Sequence, residues 1–231
     1  MKIMTFNTQH CLNYVTRKID FEVMAEAIKK MNPDIVGLNE MRGEGSGAGY
    51  QAQVDILSSL TGLNHFYFAK AIDMKDGPYG NGFLSAIPIS KIEKIMIPDP
   101  NPRTGTRYYE TRCLIKAELE NGLTVLVTHF GLNDDEQINA VNTVLENVKE
   151  EKCVLMGDFN LNPNEKVLDP IRAKMKDTAD VFDEEKLSWP SINPECKIDY
   201  IFVSKDIEVI SADIPNLVAS DHRPHIAEIK F

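Results

Sequence analysis

Several short apolar runs in this chain are hydrophobic at both odd and even positions, and that pattern limits its fold more than any other feature. "IVGL" at 35–38, "TVLVT" at 124–128 and "CVLM" at 153–156 show no polar alternation. A strand with one wet face alternates, so these strands are expected to be covered on both faces. Helical patterns lie between them. The clearest local signal is "RCLIKAELENGLTVLVTHF", where Asn121-Gly122 suits a type I′ turn joining two apolar runs in a hairpin. Antiparallel strands buried on both faces imply two sheets packed together with helices outside each, which is a layered α/β sandwich.

The remaining elements agree with that class. Asp20 is placed to cap a helix with Phe21, Met24, Ile28 and Met31 on one face, ended by "NPD". A second helix is expected around "QAQVDILSSL", and a third from about Asp134 to Lys149 with Ile138, Val141, Leu145 and Val148 on its inner face. "KIMTFN", "DIVGLNE", "HFYFAKAI", "GNGFLSAI", "IEKIMI", "KCVLMGDFN", "KIDYIFV", "IEVISADI" and "HIAEIKF" supply strands. No repeat or long linker divides the 231 residues, so one domain spanning 1–231 is expected, with length enough for a large core. No apolar run approaches the roughly 20 residues of a membrane span. "MKIMTFNTQH" lacks the features of a signal peptide, and the four cysteines are scattered singly, so a cytoplasmic protein with free thiols is expected.

The ends of these apolar strands carry an unusual set of polar side chains. Asn7 ends "TFN", Glu40 ends "LNE", and His129 ends "THF" with Asn133 just beyond. Asp158 and Asn160 follow "CVLM" in "GDFN"; Asp199 opens "DYIF"; Asp221 and His222 in "SDHRP" precede the last strand. Each alone has a structural alternative, since Asn and Asp cap turns and a single His or Glu at a strand end is often a packing or solvated residue. Taken together, acids gathered at one rim repel one another unless a cation sits among them. Hard oxygen ligands of this kind suit Mg²⁺ or Mn²⁺.

"TFN", "LNE", "THF", "GDFN", "DYIF" and "SDHRP", in this order, resemble the endonuclease/exonuclease/phosphatase superfamily, the group of deoxyribonuclease I, exonuclease III and the inositol polyphosphate 5-phosphatases. The resemblance covers nearly the whole chain and implies a four-layer, deoxyribonuclease I-like α/β sandwich of two packed mixed or antiparallel sheets flanked by helices. One departure is Asn39, where the family more often has Gln before the glutamate. The resemblance also implies roles. Glu40, with Asn7 and Asp221 nearby, would hold the divalent metal. Asp158 would deprotonate the attacking water, Asn160 and His129 would contact the phosphate, and His222, oriented by Asp199, would donate to a phosphoryl oxygen. Asn133, Asn81 and Arg112 are weaker candidates for substrate contact.

The expected activity is a Mg²⁺- or Mn²⁺-dependent phosphoester hydrolase acting on a phosphorylated small molecule or an exposed phosphodiester. A formal net charge of −10 disfavours avid binding to duplex DNA. A DNA-repair nuclease and a non-catalytic binding module are the alternatives. Lys91, Lys94, Arg103, Arg107, Arg112 and Lys116 form a locally basic stretch, either a solvated hairpin face or a small phosphate-accepting patch. The glycine-rich loop from Gly43 to Gly49 lacks the lysine of a P-loop and is expected to form a rim or lid. Trp189, the sole tryptophan, stands as a pocket wall or a packing residue.

Overall fold

Two six-stranded sheets lie face to face, each built around one parallel pair of strands (computed structural model, residues 1–47 and 49–231 described). The strands are β1 (Lys2–Asn7), β2 (Ile35–Arg42), β3 (His65–Met74), β4 (Gly77–Ser85), β5 (Ile89–Met96) and β6 (Cys113–Leu119). They continue with β7 (Thr124–His129), β8 (Cys153–Asp158), β9 (Met175–Asp177), β10 (Asp199–Ser204), β11 (Glu208–Asp213) and β12 (His225–Lys230). The helices are α1 (Phe21–Met31), α2 (Gln53–Thr61), α3 (Asp134–Asn147) and α4 (Asp169–Lys174). One sheet runs β11-β12-β1-β2-β4-β3 and the other β5-β6-β7-β8-β10-β9. Among the described residues no helix is long and apolar enough to cross a membrane.

Although no sequence repeat is visible, the halves share a plan. Strands β1 and β2 pair in parallel and are joined across α1; β7 and β8 pair in parallel and are joined across α3. Each helix has a local cause. Asp20 caps α1 by accepting from Val23 N at 3.1 Å, and Asn32 ends it in the left-handed region at φ 49°. On α3, Glu136 Oε2 reaches back to accept from the Asn133 backbone N–H at 3.2 Å, the returning half of a capping box.

The strands that lack alternation are covered on both faces. Ile3, Ile35, Phe83, Ile115, Val125, Val127, Val154, Met156, Ile201 and Val203 make the core between the sheets. Met24, Ile28, Leu38, Val54 and Leu57 form a second core under α1 and α2; Leu126, Phe130, Val144, Leu155, Phe159 and Phe202 form a third under α3 and α4. The sheets approach so closely that a Cβ on Gly37 would stand 2.8 Å from Met156 Sδ. This is the four-layer sandwich that the motifs imply.

Two local expectations need correction. The β6–β7 hairpin is not closed by a two-residue type I′ turn. Leu119 N donates to Leu123 O at 2.9 Å, so 120–122 form a three-residue loop, and of Asn121 and Gly122 only Gly122 has positive φ (87°). Helix α3 stops at Asn147, and Ile138 faces outward, 51% exposed, while Gln137, Ala140, Val141 and Val144 turn inward.

Candidate active site

The parallel pairs of both sheets end at the same rim, and the polar residues singled out from the sequence meet there. Asn7 closes β1, His129 closes β7, and Asp158 closes β8. Asp199, the first residue of β10, lies opposite Asp158 in the antiparallel ladder. Glu40 stands where the β2–β4 register shifts between Leu38 and Met41, and its φ of 62° marks a bulge that re-aims the side chain. A cleft of about 1120 Å³ opens above them, lined among others by Glu40, Tyr79, Arg112, His129, Asp158, Asn160, Asp221 and His222.

Asp158 is the hub. Its backbone conformation depends on Gly157 at φ 150°, where an added Cβ would meet Thr128 O at 1.8 Å, so the glycine of "GDFN" is sterically required. Asp158 Oδ2 accepts from Asn7 Nδ2 at 3.0 Å and lies 3.5 Å from His129 Nε2 and 3.6 Å from His222 Nε2. Asn160 N donates to Oδ1 at 2.9 Å. Burial raises the Asp158 carboxyl to about 7, helped by the Asp199 charge and opposed by His222 and the hydrogen bonds.

His222 donates Nδ1–H to Asp199 Oδ2 at 2.8 Å. Burial alone would lower its pKa, but the Asp199 and Asp158 carboxylates carry it up to about 10, so the ring is an imidazolium. His129 behaves oppositely: burial, with the Arg112 and His222 charges beside it, keeps it well below the usual range and neutral.

The floor joins the two sheets through amides. Asn39 accepts from Asp158 N at 2.9 Å and donates to Thr128 O at 2.8 Å and Asn81 Oδ1 at 2.9 Å. Asn39 therefore holds the backbone N–H of Asp158 directly.

The oxygen donors suit a hard divalent cation. Asn7 Nδ2 also donates to Glu40 Oε1 at 3.1 Å, so its amide stands between two carboxylates that would otherwise repel. Asp221 lies at the same cleft, where Gln9 Nε2 donates to its Oδ2 at 3.1 Å, and the buried Gln9 Oε1 has no partner among the described residues. Asp158, Asp199 and His222 also bring three donor atoms within 4.8 Å of one another. An imidazolium already bonded to Asp199 is a poor ligand, which favours Glu40 and its neighbours as the cation's place.

Some expected site residues have other partners. Asn133 is buried in the α3 cap, with Nδ2 on Glu136 Oε2 at 2.7 Å and Oδ1 accepting from Arg107 N at 2.9 Å. Asn81 is buried between the sheets, with Nδ2 on Cys113 O at 2.9 Å. Arg112 lines the cleft, but its guanidinium engages His129 and Glu110. The basic stretch does not act as one patch. Lys91 pairs with Glu93, Arg103 with Asp99, and Lys94 and Lys116 with Lys70 O and Asn147; only Arg107 and Arg112 reach the cleft. The described residues of the glycine-rich loop bond Asp76 and Tyr50 rather than border the cleft, and Ala48 within it lies outside the described residues. Trp189 does line the cleft, as do Ile138 and Tyr108. Sequence reasoning passed over Gln9, Tyr79, which lines the cleft with Glu40, and Glu110; none lies in a motif that would single it out.

The sequence pattern of the Endonuclease/Exonuclease/phosphatase family matches residues 4–222. The chain belongs to this family. No curated protein sequence matches it. Among solved structures, a family member from Beutenbergia cavernae superposes with a TM-score of 0.79 at 20% identity, covering 100% of this chain and 71% of that one. A mannosyl-6-phosphatase from Bacteroides thetaiotaomicron superposes at 0.76 and 17% identity over 100% of both chains. The human nocturnin catalytic domain with bound sulfate superposes at 0.69 and 17%, covering 100% of this chain and 93% of that one. Members of this family hydrolyse phosphoesters, and the fold of this chain is theirs.

Proposed function

We propose that this protein is a Mg²⁺- or Mn²⁺-dependent hydrolase that cleaves a small or exposed phosphoester by in-line attack of water. The observation that carries the reading is Asp158: a buried carboxylate, raised to about 7, within 3.6 Å of both histidines and bonded to Asn7. Its elevated pKa makes it an effective proton acceptor near neutral pH.

In this reading Asp158 orients a water and takes its proton as the oxygen attacks phosphorus and the ester P–O bond breaks. His222 gives a charged N–H to a phosphoryl oxygen, and Asp199 holds the ring in place. Asn160 and His129 supply neutral N–H donors. Glu40, with Asn7 and Asp221 alongside, would hold the cation, which neutralises a non-bridging oxygen and assists the leaving group when bound.

The shared fold with a mannosyl-6-phosphatase makes sugar phosphates the first substrates to try. The net charge of −10 argues against a duplex-gripping nuclease. The test is phosphate release from a panel of sugar phosphates with Mg²⁺, Mn²⁺ or EDTA, beside a fluorescent duplex with one abasic site. Metal-dependent release from the panel supports the reading, and incision of the duplex alone moves the protein to the repair nucleases. Calorimetry showing no Mg²⁺ binding would overturn the metal's role and leave a binding module.

A further inference from the structure

Arg112 approaches His129 from the edge of the cleft in a way that constrains the imidazole. Its Nη1 lies 2.9 Å from His129 Nδ1 with the N–H aimed at that nitrogen. A guanidinium has only donors, so Nδ1 must present its lone pair, and a neutral imidazole must then carry its proton on Nε2. His129 is held neutral by burial and by the Arg112 charge itself.

The consequence appears on the other side of the ring. His129 Nε2 faces Asn160 Nδ2 at 3.2 Å. The Asn160 amide cannot be turned round, because Nδ2 also donates to Phe130 O at 3.1 Å and an amide oxygen there would face a carbonyl. Two N–H donors therefore face each other, with Asp158 Oδ2 3.5 Å from the ring nitrogen. Were the proton on Nδ1, Nε2 would accept from Asn160 and the pair would satisfy itself. Arg112 prevents that, and leaves both donors for an oxygen that only accepts.

We propose that Arg112 is a positioning residue that locks His129 in its Nε2–H tautomer, so that His129 and Asn160 present two N–H donors to one phosphoryl oxygen. This rests on the reading of the cleft as a phosphoester site. Arg112 is itself held. Glu110 Oε1 lies 2.6 Å from Nη1, and the Glu110 backbone N–H donates to Glu136 Oε1 at 3.2 Å, at the start of α3. The sequence Glu136–Glu110–Arg112–His129 thus ties a helix start to the tautomer of one ring. Arg112 does not serve as the substrate anchor that its charge suggests.

The test is ¹⁵N NMR of the histidine side chains in metal-free protein near pH 7, with His129 assigned by the signal lost in His129→Asn. The wild type is expected to show an unprotonated Nδ1 and a protonated Nε2 at His129. Arg112→Met is expected to populate the Nδ1–H tautomer, and Arg112→Lys, which keeps a donor, to retain the wild-type pattern. Added inorganic phosphate is expected to shift the His129 Nε2–H and Asn160 amide signals in wild type and far less in Arg112→Met. With a working substrate, kcat/KM should fall about 10²-fold in Arg112→Met, as for loss of one oriented donor, and recover in part in Arg112→Lys. A protonated Nδ1 in the wild type overturns the proposal with no variant needed, and so does an unchanged tautomer in folded Arg112→Met. The tautomer is read without turnover, so failure to hydrolyse any phosphoester would count against the functional reading and leave this one standing.

Discussion

Lowering the pH from 7 to 5 should remove about 2 kcal/mol of stability through one buried histidine. His225 opens β12 and is fully buried, with Thr178 Oγ1 3.1 Å from Nε2, the Asp199 carbonyl 3.3 Å from Nδ1 and the Phe182 ring 5.5 Å away. Burial, with the nearby Lys197 charge, lowers its pKa to about 3. Unfolded, the ring titrates near 6.5, so the unfolded chain binds a proton that the folded one refuses. The contribution is complete above about pH 6.5 and declines by about 1.4 kcal/mol per pH unit as pH falls toward 3. His129 and His10, also held neutral by burial, act in the same direction, while the raised Asp158 opposes them. The difference between wild type and His225→Gln isolates the one residue. Urea melts at pH 7, 6 and 5 should show the variant weaker at pH 7, from its lost hydrogen bonds, yet with an acid limb shallower by about 2 kcal/mol over that range. An equal loss in both proteins would refute a buried neutral His225.

Two further predictions concern how the site is built. Phe159 stacks on Phe130 at 4.3 Å and packs on Tyr200 and Phe202 at 5.1 and 5.8 Å; Phe159→Ala should cost about 3–5 kcal/mol in a urea melt. Asn39→Ala leaves Asp158 N, Thr128 O and Asn81 Oδ1 without their partner, and should cost on the order of 3 kcal/mol while lowering turnover. A fully active Asn39→Ala of wild-type stability would deny that this amide sets the site's floor.

Much of the candidate site was legible because its residues sit where apolar strands stop. Asn7, Glu40, His129 and Asp158 interrupt or end runs that the core requires to be apolar, so a polar side chain there stands out. What escaped notice depends on contacts distant in sequence. Asn39 and Asp158 are far apart in the chain, and only the packing of one sheet on the other joins them. Asn81 and Asn133 show the reverse error: an asparagine beside a motif looks the same whether its amide faces substrate, a neighbouring sheet or a helix cap. Ile138 fitted the inner face by spacing, yet the cleft lies just where that face turns outward. Asn121-Gly122 announced a turn, but the pairing of Leu119 with Leu123 determined its length.

The central claim is that Asp158 is the proton acceptor of a metal-dependent phosphoester hydrolysis. It is tested most directly by turnover of wild type and Asp158→Asn on p-nitrophenyl phosphate, bis(p-nitrophenyl) phosphate and the best sugar phosphate, across a Mg²⁺ titration, with melting temperatures measured in parallel. The expected result is Mg²⁺-dependent turnover by the wild type and a loss of about 10²- to 10⁴-fold in a variant that still melts cooperatively. Turnover by Asp158→Asn within tenfold of wild type, or no Mg²⁺-dependent turnover of any phosphoester by the wild type, would contradict it.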